Sequence, residues 1–182
     1  MAKIRTRSGR LVDPFNPVPG DVNPQDMIHS ICCLNRFTGQ AKHPYSVGQH
    51  TRNLMFSVPL SLRRAALVHD FGESWFNDLA SPVKAEIPTY KFFENEAKLC
   101  IGYELGVTEA EFAELDIYDK RIYKNERDAL FDVIGERSMG DQYEPLPHNE
   151  LHDFEERPWR SVRADLEHWF KFYFREESNR YV

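Results

Sequence analysis

Between Leu67 and Lys84 the chain reads LVHDFGESWFNDLASPVK. A histidine stands directly against an aspartate, His69-Asp70, and two further carboxylates follow, Glu73 and Asp78, before Ser81-Pro82-Val83-Lys84 starts a new element. Neutral imidazole and carboxylate are usual ligands of a borderline divalent metal. Carboxylates just beyond such a pair are usual equipment for moving a proton. Neighbours on a helix point about 100° apart, so His69 and Asp70 do not complete a site alone. The remaining ligands must come from elsewhere in the chain.

The elements that would carry them follow from apolar spacing. Asn23-Pro24 reads as an N-cap with Pro at the first helical position, ahead of a stripe of Met27, Ile28, Ile31, Cys32 and Leu34 that stops near Gly39. Ser46 caps a second helix in which Val47, His50, Leu54 and Val58 recur at three- and four-residue steps, and Pro59 ends it. A third helix opens at Ser61 and runs through Leu62, Ala65, Ala66 and His69; Ser81-Pro82 repeats the cap-plus-Pro start for a short fourth. Thr89 begins a longer helix that Gly106 closes. Thr108 and Glu111 form a capping box for a helical region reaching about Ile134, with a candidate break near Asp116. Residues 1–22, rich in Pro and Gly, read as an irregular lead-in, 138–157 as a long polar loop, and 158–174 as a closing helix striped with aromatics. No stretch alternates strictly. The expectation is one all-α domain over residues 1–182, a helical bundle with its core in 23–134.

Several polar residues lie on apolar stripes. His50 is in line with Val47 and Leu54, His69 with Leu62 and Ala65, and Glu73 sits one turn beyond. Asp119, Ile122, Glu126 and Ala129 share another face. Buried ionisable groups are costly unless paired or metal-bound. For any one of them a satisfied core histidine or ion pair is the plainer account. Together with His69-Asp70 they point to a shared polar centre.

In these residues the chain resembles the HD-domain metal-dependent phosphohydrolases, whose pattern is a histidine, a His-Asp pair and a distant aspartate on helices around one divalent metal. His50, His69, Asp70 and Asp119 match it. The resemblance narrows to the small 5'-deoxynucleotidase-like branch through His69-Asp70-Phe71-Gly72-Glu73, then Asp78, then Pro82-Val83-Lys84. Asn35-Arg36-Phe37-Thr38-Gly39, Tyr45-Ser46-Val47-Gly48-Gln49-His50 and Glu126-Arg127-Asp128 look like the phage and prophage members of that branch. The gap between His50 and His69 is short for the family, so the elements between them are trimmed. The resemblance implies two His and two Asp ligands for a divalent ion (Co²⁺, Mn²⁺, Zn²⁺, Mg²⁺ or Fe²⁺), with Glu73 and Asp78 as the acid/base pair. Arg36 is then the phosphate clamp, since guanidinium grips phosphate through paired hydrogen bonds, and Lys84 a second candidate. Lys42, His43 and Lys120 are weaker candidates that would serve a substrate with more phosphates. The implied reaction is hydrolysis at the 5' position of a deoxynucleoside monophosphate. The alternatives are a deoxynucleoside triphosphohydrolase, some of which select one base, and a nucleotide-sensing domain without catalysis, against which Glu73 and Asp78 speak. Resemblance also favours a homodimer or larger assembly.

Composition limits the rest. A net charge of −6 argues against a general nucleic-acid coat but permits a local basic pocket for a small anion. No apolar run approaches the roughly 20 residues of a membrane span. The basic start MAKIRTRSGR has no apolar run after it, and Cys32, Cys33 and Cys100 make no disulfide framework. The expectation is a reduced, cytoplasmic protein whose cysteines are small buried hydrophobes. His148 and His152 stand four residues apart, but in a Pro-flanked loop, which disfavours a second metal there.

Overall fold

The lead-in carries a structure that the sequence does not announce. In the computed structural model, which describes residues 3–132, 135 and 142–175, Ile4–Arg5 (β1) and Leu11–Val12 (β2) pair antiparallel, Ile4 opposite Val12. Two-residue strands are too short for alternation to register, so the wholly irregular lead-in is corrected to one with a hairpin. Gly9, at φ 89°, takes the left-handed position in the five-residue connection, which Thr6 N closes on Arg10 O at 2.9 Å. Asp26 ties the loop to the helical body, accepting from Ser8 N at 3.0 Å and Ser8 Oγ at 2.6 Å.

The remainder is helical, as expected. The described α-helices are α1 Pro24–Cys33, α2 Val47–Ser57, α3 Arg63–Val68, α4 Glu73–Phe76, α5 Ser81–Ala85, α6 Pro88–Leu105, α7 Glu109–Leu130 and α8 Trp159–Tyr173. The caps act as their sequences dictate. Asn23 accepts from Asp26 N, Ser46 from Gln49 N, and Thr108 with Glu111 closes a reciprocal capping box. Gly106 sits left-handed at φ 65° after α6.

Several boundaries differ from expectation: α3 begins at Arg63 rather than at Ser61, behind a 3₁₀ turn at Leu60–Leu62. α6 starts at Pro88, one residue early, and α5 starts at Ser81 itself, behind Ala80 and without a side-chain cap. α7 runs unbroken through Asp116, because its face of Phe112, Leu115, Ile122 and Leu130 stays buried. The expected third helix splits after Val68. There Phe71 N bonds Val68 O, Glu73 N bonds Asp70 O and Ser74 N bonds Phe71 O, all three residues back. Such bonds belong to a 3₁₀-type turn, and across it His69 Nε2 still comes within 3.1 Å of Asp70 Oδ2. α7 ends at Leu130, with Phe131 extended at φ −124°, short of the Ile134 expected. Residues 142–157 form the described part of the long loop, with turns only, and Ile134 and Gly140 themselves lie outside the described residues.

α1, α2, α3 and α8 pack on one another, α7 lies across α2 and α3, and α6 covers α3. Ile31, Leu54, Met55, Leu62, Leu67, Ile101 and Val162 fill the centre. Of the cysteines only Cys32 is fully buried; Cys33 is exposed and Cys100 intermediate, because Cys33 falls on the outer face of α1. No helix among the described residues is long and apolar enough to cross a membrane. α1 and α2 approach closely at Gly48, where an added Cβ would stand 2.6 Å from Cys32 Sγ and 3.2 Å from Cys32 Cα. Gly48→Ala is therefore expected to destabilise the fold by about 1–3 kcal/mol, read as a lower urea midpoint, and an unchanged midpoint would refute this packing.

Candidate metal centre

Three elements bring the ligating residues together. α2 presents His50, the tight turn after α3 presents His69 and Asp70, and α7 presents Asp119. His50 Nε2 lies 3.2 Å from His69 Nε2, 3.1 Å from Asp119 Oδ1 and 3.6 Å from Asp70 Oδ2. His69 Nε2 lies 3.1 Å from Asp70 Oδ2. His50, His69 and Asp119 offer ligand atoms that all fall within 4.8 Å of one another, a group able to hold a metal ion. Side-chain exposure rises from 0% at His50 through 16% at Asp70 to 38% at Asp119, so the centre opens to solvent on the α7 side.

The donor set fits a cation. His69 Nδ1 faces Ala66 O at 2.8 Å, and a carbonyl only accepts, so that nitrogen carries the proton. His50 Nδ1 faces the Glu126 carboxylate at 2.7 Å. Both rings thus turn Nε2 toward the same point, where two lone pairs would oppose each other with nothing between them. Asp70 Oδ2, pointing at the same place, is buried and has no hydrogen-bond partner. A proton or a metal ion resolves the conflict. Without a metal, burial and Arg36 oppose charge on His50, but Glu126 and Asp119 outweigh them and raise its pKa to about 10. Burial likewise works against charge on Asp70 and Asp119, yet the imidazoles hold both carboxyls well below the usual carboxylate range. The centre attracts positive charge.

Behind His50 lies a shell to which sequence reasoning assigned no role. Glu126 is fully buried and accepts from His50 Nδ1 and from Tyr45 Oη at 2.8 Å, while Arg36 Nη2 stands 3.2 Å from its other oxygen. Tyr45 Oη in turn accepts from Asn53 Nδ2 at 3.0 Å, which also bonds Asp153 O at 2.8 Å. The loop is thereby tied to the histidine. Fixing the tautomer of a ligating imidazole through its far nitrogen raises its basicity toward a metal. Glu126 was visible as a polar residue on the Asp119 face, seven positions or two turns along; Tyr45, before the Ser46 cap, gave no periodic signal.

The other predicted residues fall around this centre in different states. Arg36 has one corner on Glu126, a looser 3.8 Å pairing with Asp70, and an Nε without a partner. Glu73 is buried, with Oε2 unpartnered. Burial, reinforced by Asp70 and Asp78, holds its carboxyl well above the ordinary range, and burial raises Asp78 as well. Lys84 is committed to Glu94 at 2.6 Å. Lys120 pairs with Asp116 on the outer face of α7, and His43 Nδ1 lies 3.3 Å from Pro44 O. His152 Nε2 contacts Ser57 Oγ at 2.5 Å, and neither it nor His148 joins a metal-competent group among the described residues.

No family model matches the chain. Over 109 residues it is 32% identical to an uncharacterized protein of Escherichia coli K12, YfdR, covering 59% of this chain and 60% of that one. An uncharacterized protein of Rhodobacter capsulatus is 34% identical over 92 residues, 46% of this chain and 47% of the other. The chain thus spans three fifths or less of the length of these curated relatives.

Two outcomes follow for metal binding. Glu126→Ala should weaken it roughly 10–100-fold, measured by competition with a chromogenic chelator. A metal must displace the His50 proton, which stays bound up to a pH of about 10. Apparent affinity should therefore rise with pH, by about ten-fold per unit from neutrality upward. A flat profile would contradict the protonated metal-free centre.

Proposed function

We propose that this chain is a metal-dependent phosphohydrolase of the HD type that removes the 5'-phosphate from deoxynucleoside monophosphates. The observation that carries the reading is the convergence of two Nε2 atoms, 3.2 Å apart, on a point shared with the carboxylates of Asp70 and Asp119. His50, His69, Asp70 and Asp119 would hold the ion, and a divalent cation supplies acidified water and an offset for the negative charge that builds on a phosphoryl group. The imidazole pair favours Mn²⁺, Fe²⁺, Co²⁺ or Zn²⁺ over Mg²⁺.

The protein's own groups do the rest. Arg36 is anchored through one corner to Glu126, which leaves Nε and its Asp70-facing corner to donate to a phosphate. Glu73 and Asp78 form the acid/base pair. One delivers a proton to the leaving 5'-oxygen while the other orients the attacking water, so that the P–O bond to the sugar breaks as the new P–O bond forms. Burial keeps both carboxyls inclined to hold a proton, Glu73 the more so. Lys84 and Lys120 are engaged by Glu94 and Asp116. Their engagement leaves Arg36 as the principal clamp and favours one phosphate over three.

The test is product analysis with metal-stripped protein, each of the four dNMPs and dNTPs, and each restored metal in turn. Orthophosphate and deoxynucleoside from dNMPs are expected. Glu73→Gln should lose about 10²-fold or more in turnover while keeping its metal, and His69→Ala should lose both. Triphosphate released from dNTPs, with dNMPs untouched, would establish the triphosphohydrolase instead. Nucleotide bound without any product would establish a sensing domain.

A further inference from the structure

Asp78 is reached through an unusual piece of backbone. α4 ends at Asn77, which stands at φ 72°, ψ 162°, a combination that essentially only glycine adopts without strain. A side chain persists there only where its surroundings over-determine it. Three hydrogen bonds do so. Asn77 N donates to Glu73 O at 2.7 Å, and Asp78 N donates to Asn77 Oδ1 at 3.0 Å. From α6, the Tyr90 hydroxyl lies 2.8 Å from Phe76 O and 2.7 Å from Asn77 O, sharing its one proton between two successive carbonyls.

Tyr90 does not act from a floppy support. Its ring meets Phe76 edge-on at 5.8 Å, and Phe76 is braced from the other side by Phe15 at 5.9 Å. Four residues further along α6, and so on the same face, Glu94 holds Lys84 at 2.6 Å. The segment 76–84 is therefore strung between two posts on α6, with Asp78 between them. The first post grips the peptide immediately before Asp78.

We propose that Tyr90 is a positioning residue for Asp78, acting through the strained Asn77 peptide that its hydroxyl clamps. The inference rests on the acid/base role assigned above to Asp78. It explains why a residue other than glycine occupies position 77: the side-chain oxygen holds the Asp78 amide, and the hydroxyl from α6 holds the conformation that glycine would leave free to wander. A misplaced proton donor or acceptor is costly, since a shift of about 1 Å can reduce turnover on the order of 10²-fold.

Two substitutions and their combination test this. Tyr90→Phe keeps the ring and its contact with Phe76 and should lower kcat about ten-fold or more, with KM and bound metal within about two-fold of the wild type. Asn77→Gly adopts the same backbone without strain, so its Tm should equal or exceed the wild-type value while kcat falls. Because both act on one peptide, the double variant should lose no more kcat than the worse single one. Wild-type kcat in Tyr90→Phe, a lower Tm in Asn77→Gly, or multiplying losses in the double variant would overturn the proposal. Amide exchange separates its failure from that of the function proposed above. The Asn77 amide should exchange faster in Tyr90→Phe than in the wild type, whether or not any nucleotide is hydrolysed. Unchanged exchange there sinks the positioning role even in an active enzyme.

Discussion

Two imidazole nitrogens held face to face at 3.2 Å are the constraint around which the rest of the molecule is arranged. Left neutral, each ring would aim a lone pair at the other, because each has its proton fixed on the far nitrogen by an acceptor. The protein does not relieve this by turning either ring. It adds two carboxylates to the same point and leaves an oxygen of one of them, Asp70, buried and unpartnered. Repulsion among donors is tolerable only where a positive charge enters. The arrangement is therefore able to hold a cation in its energetics as well as in its geometry.

Holding that arrangement requires buried charge on the other side as well. Glu126 is removed from water, and a lone buried carboxylate would be strongly destabilising. It is retained by Tyr45, His50 and Arg36, and Asn53 passes the same network on to the backbone of the long loop. Arg36 thereby serves two purposes. It neutralises the carboxylate that orients His50, and it stands in the centre with donors still free for an anion. A substitution of Arg36 consequently disturbs the histidine as well as the proposed clamp, so its effect does not by itself report on phosphate binding.

The parts legible in the sequence were those written in short-range patterns. Ser46, Asn23 and the Thr108–Glu111 box capped the helices that their spacing implied, and His50, His69 and Asp119, all on apolar stripes, did converge. The rest was set by contacts that sequence spacing does not encode. His69 Nε2 and Asp70 Oδ2 stand 3.1 Å apart across the turn at 68–74 although neighbours on an α-helix diverge. The hairpin at 4–12 is too short to show a period, and it is held by Asp26 from outside. Tyr45 stands in a family-like motif without any spacing that gives its hydroxyl a role, and that hydroxyl lies 2.8 Å from Glu126. Lys84 sits where its motif places it, yet Glu94, ten residues away, decides what it pairs with.

The positions where local rules are broken bear on function. Among the described residues, those other than glycine with positive φ are Phe37, Thr38 and Asn77. The first two follow Arg36 directly, and the third precedes Asp78. Each such residue costs on the order of 1–3 kcal/mol, a large share of the ~5–15 kcal/mol by which a domain of this kind is stable. Were the strain incidental, it would be scattered over the turns of the lead-in and the long loop, where Pro and Gly are frequent. Instead it falls beside Arg36 and Asp78, the guanidinium and the carboxylate to which the proposed function gives roles. The unpartnered oxygens of Asp70 and Glu73 lie in the same region. Strain and unsatisfied polar groups at one place are what a site pre-shaped for a ligand carries before that ligand arrives. A purely structural ion-pair core would have had every reason to relax both.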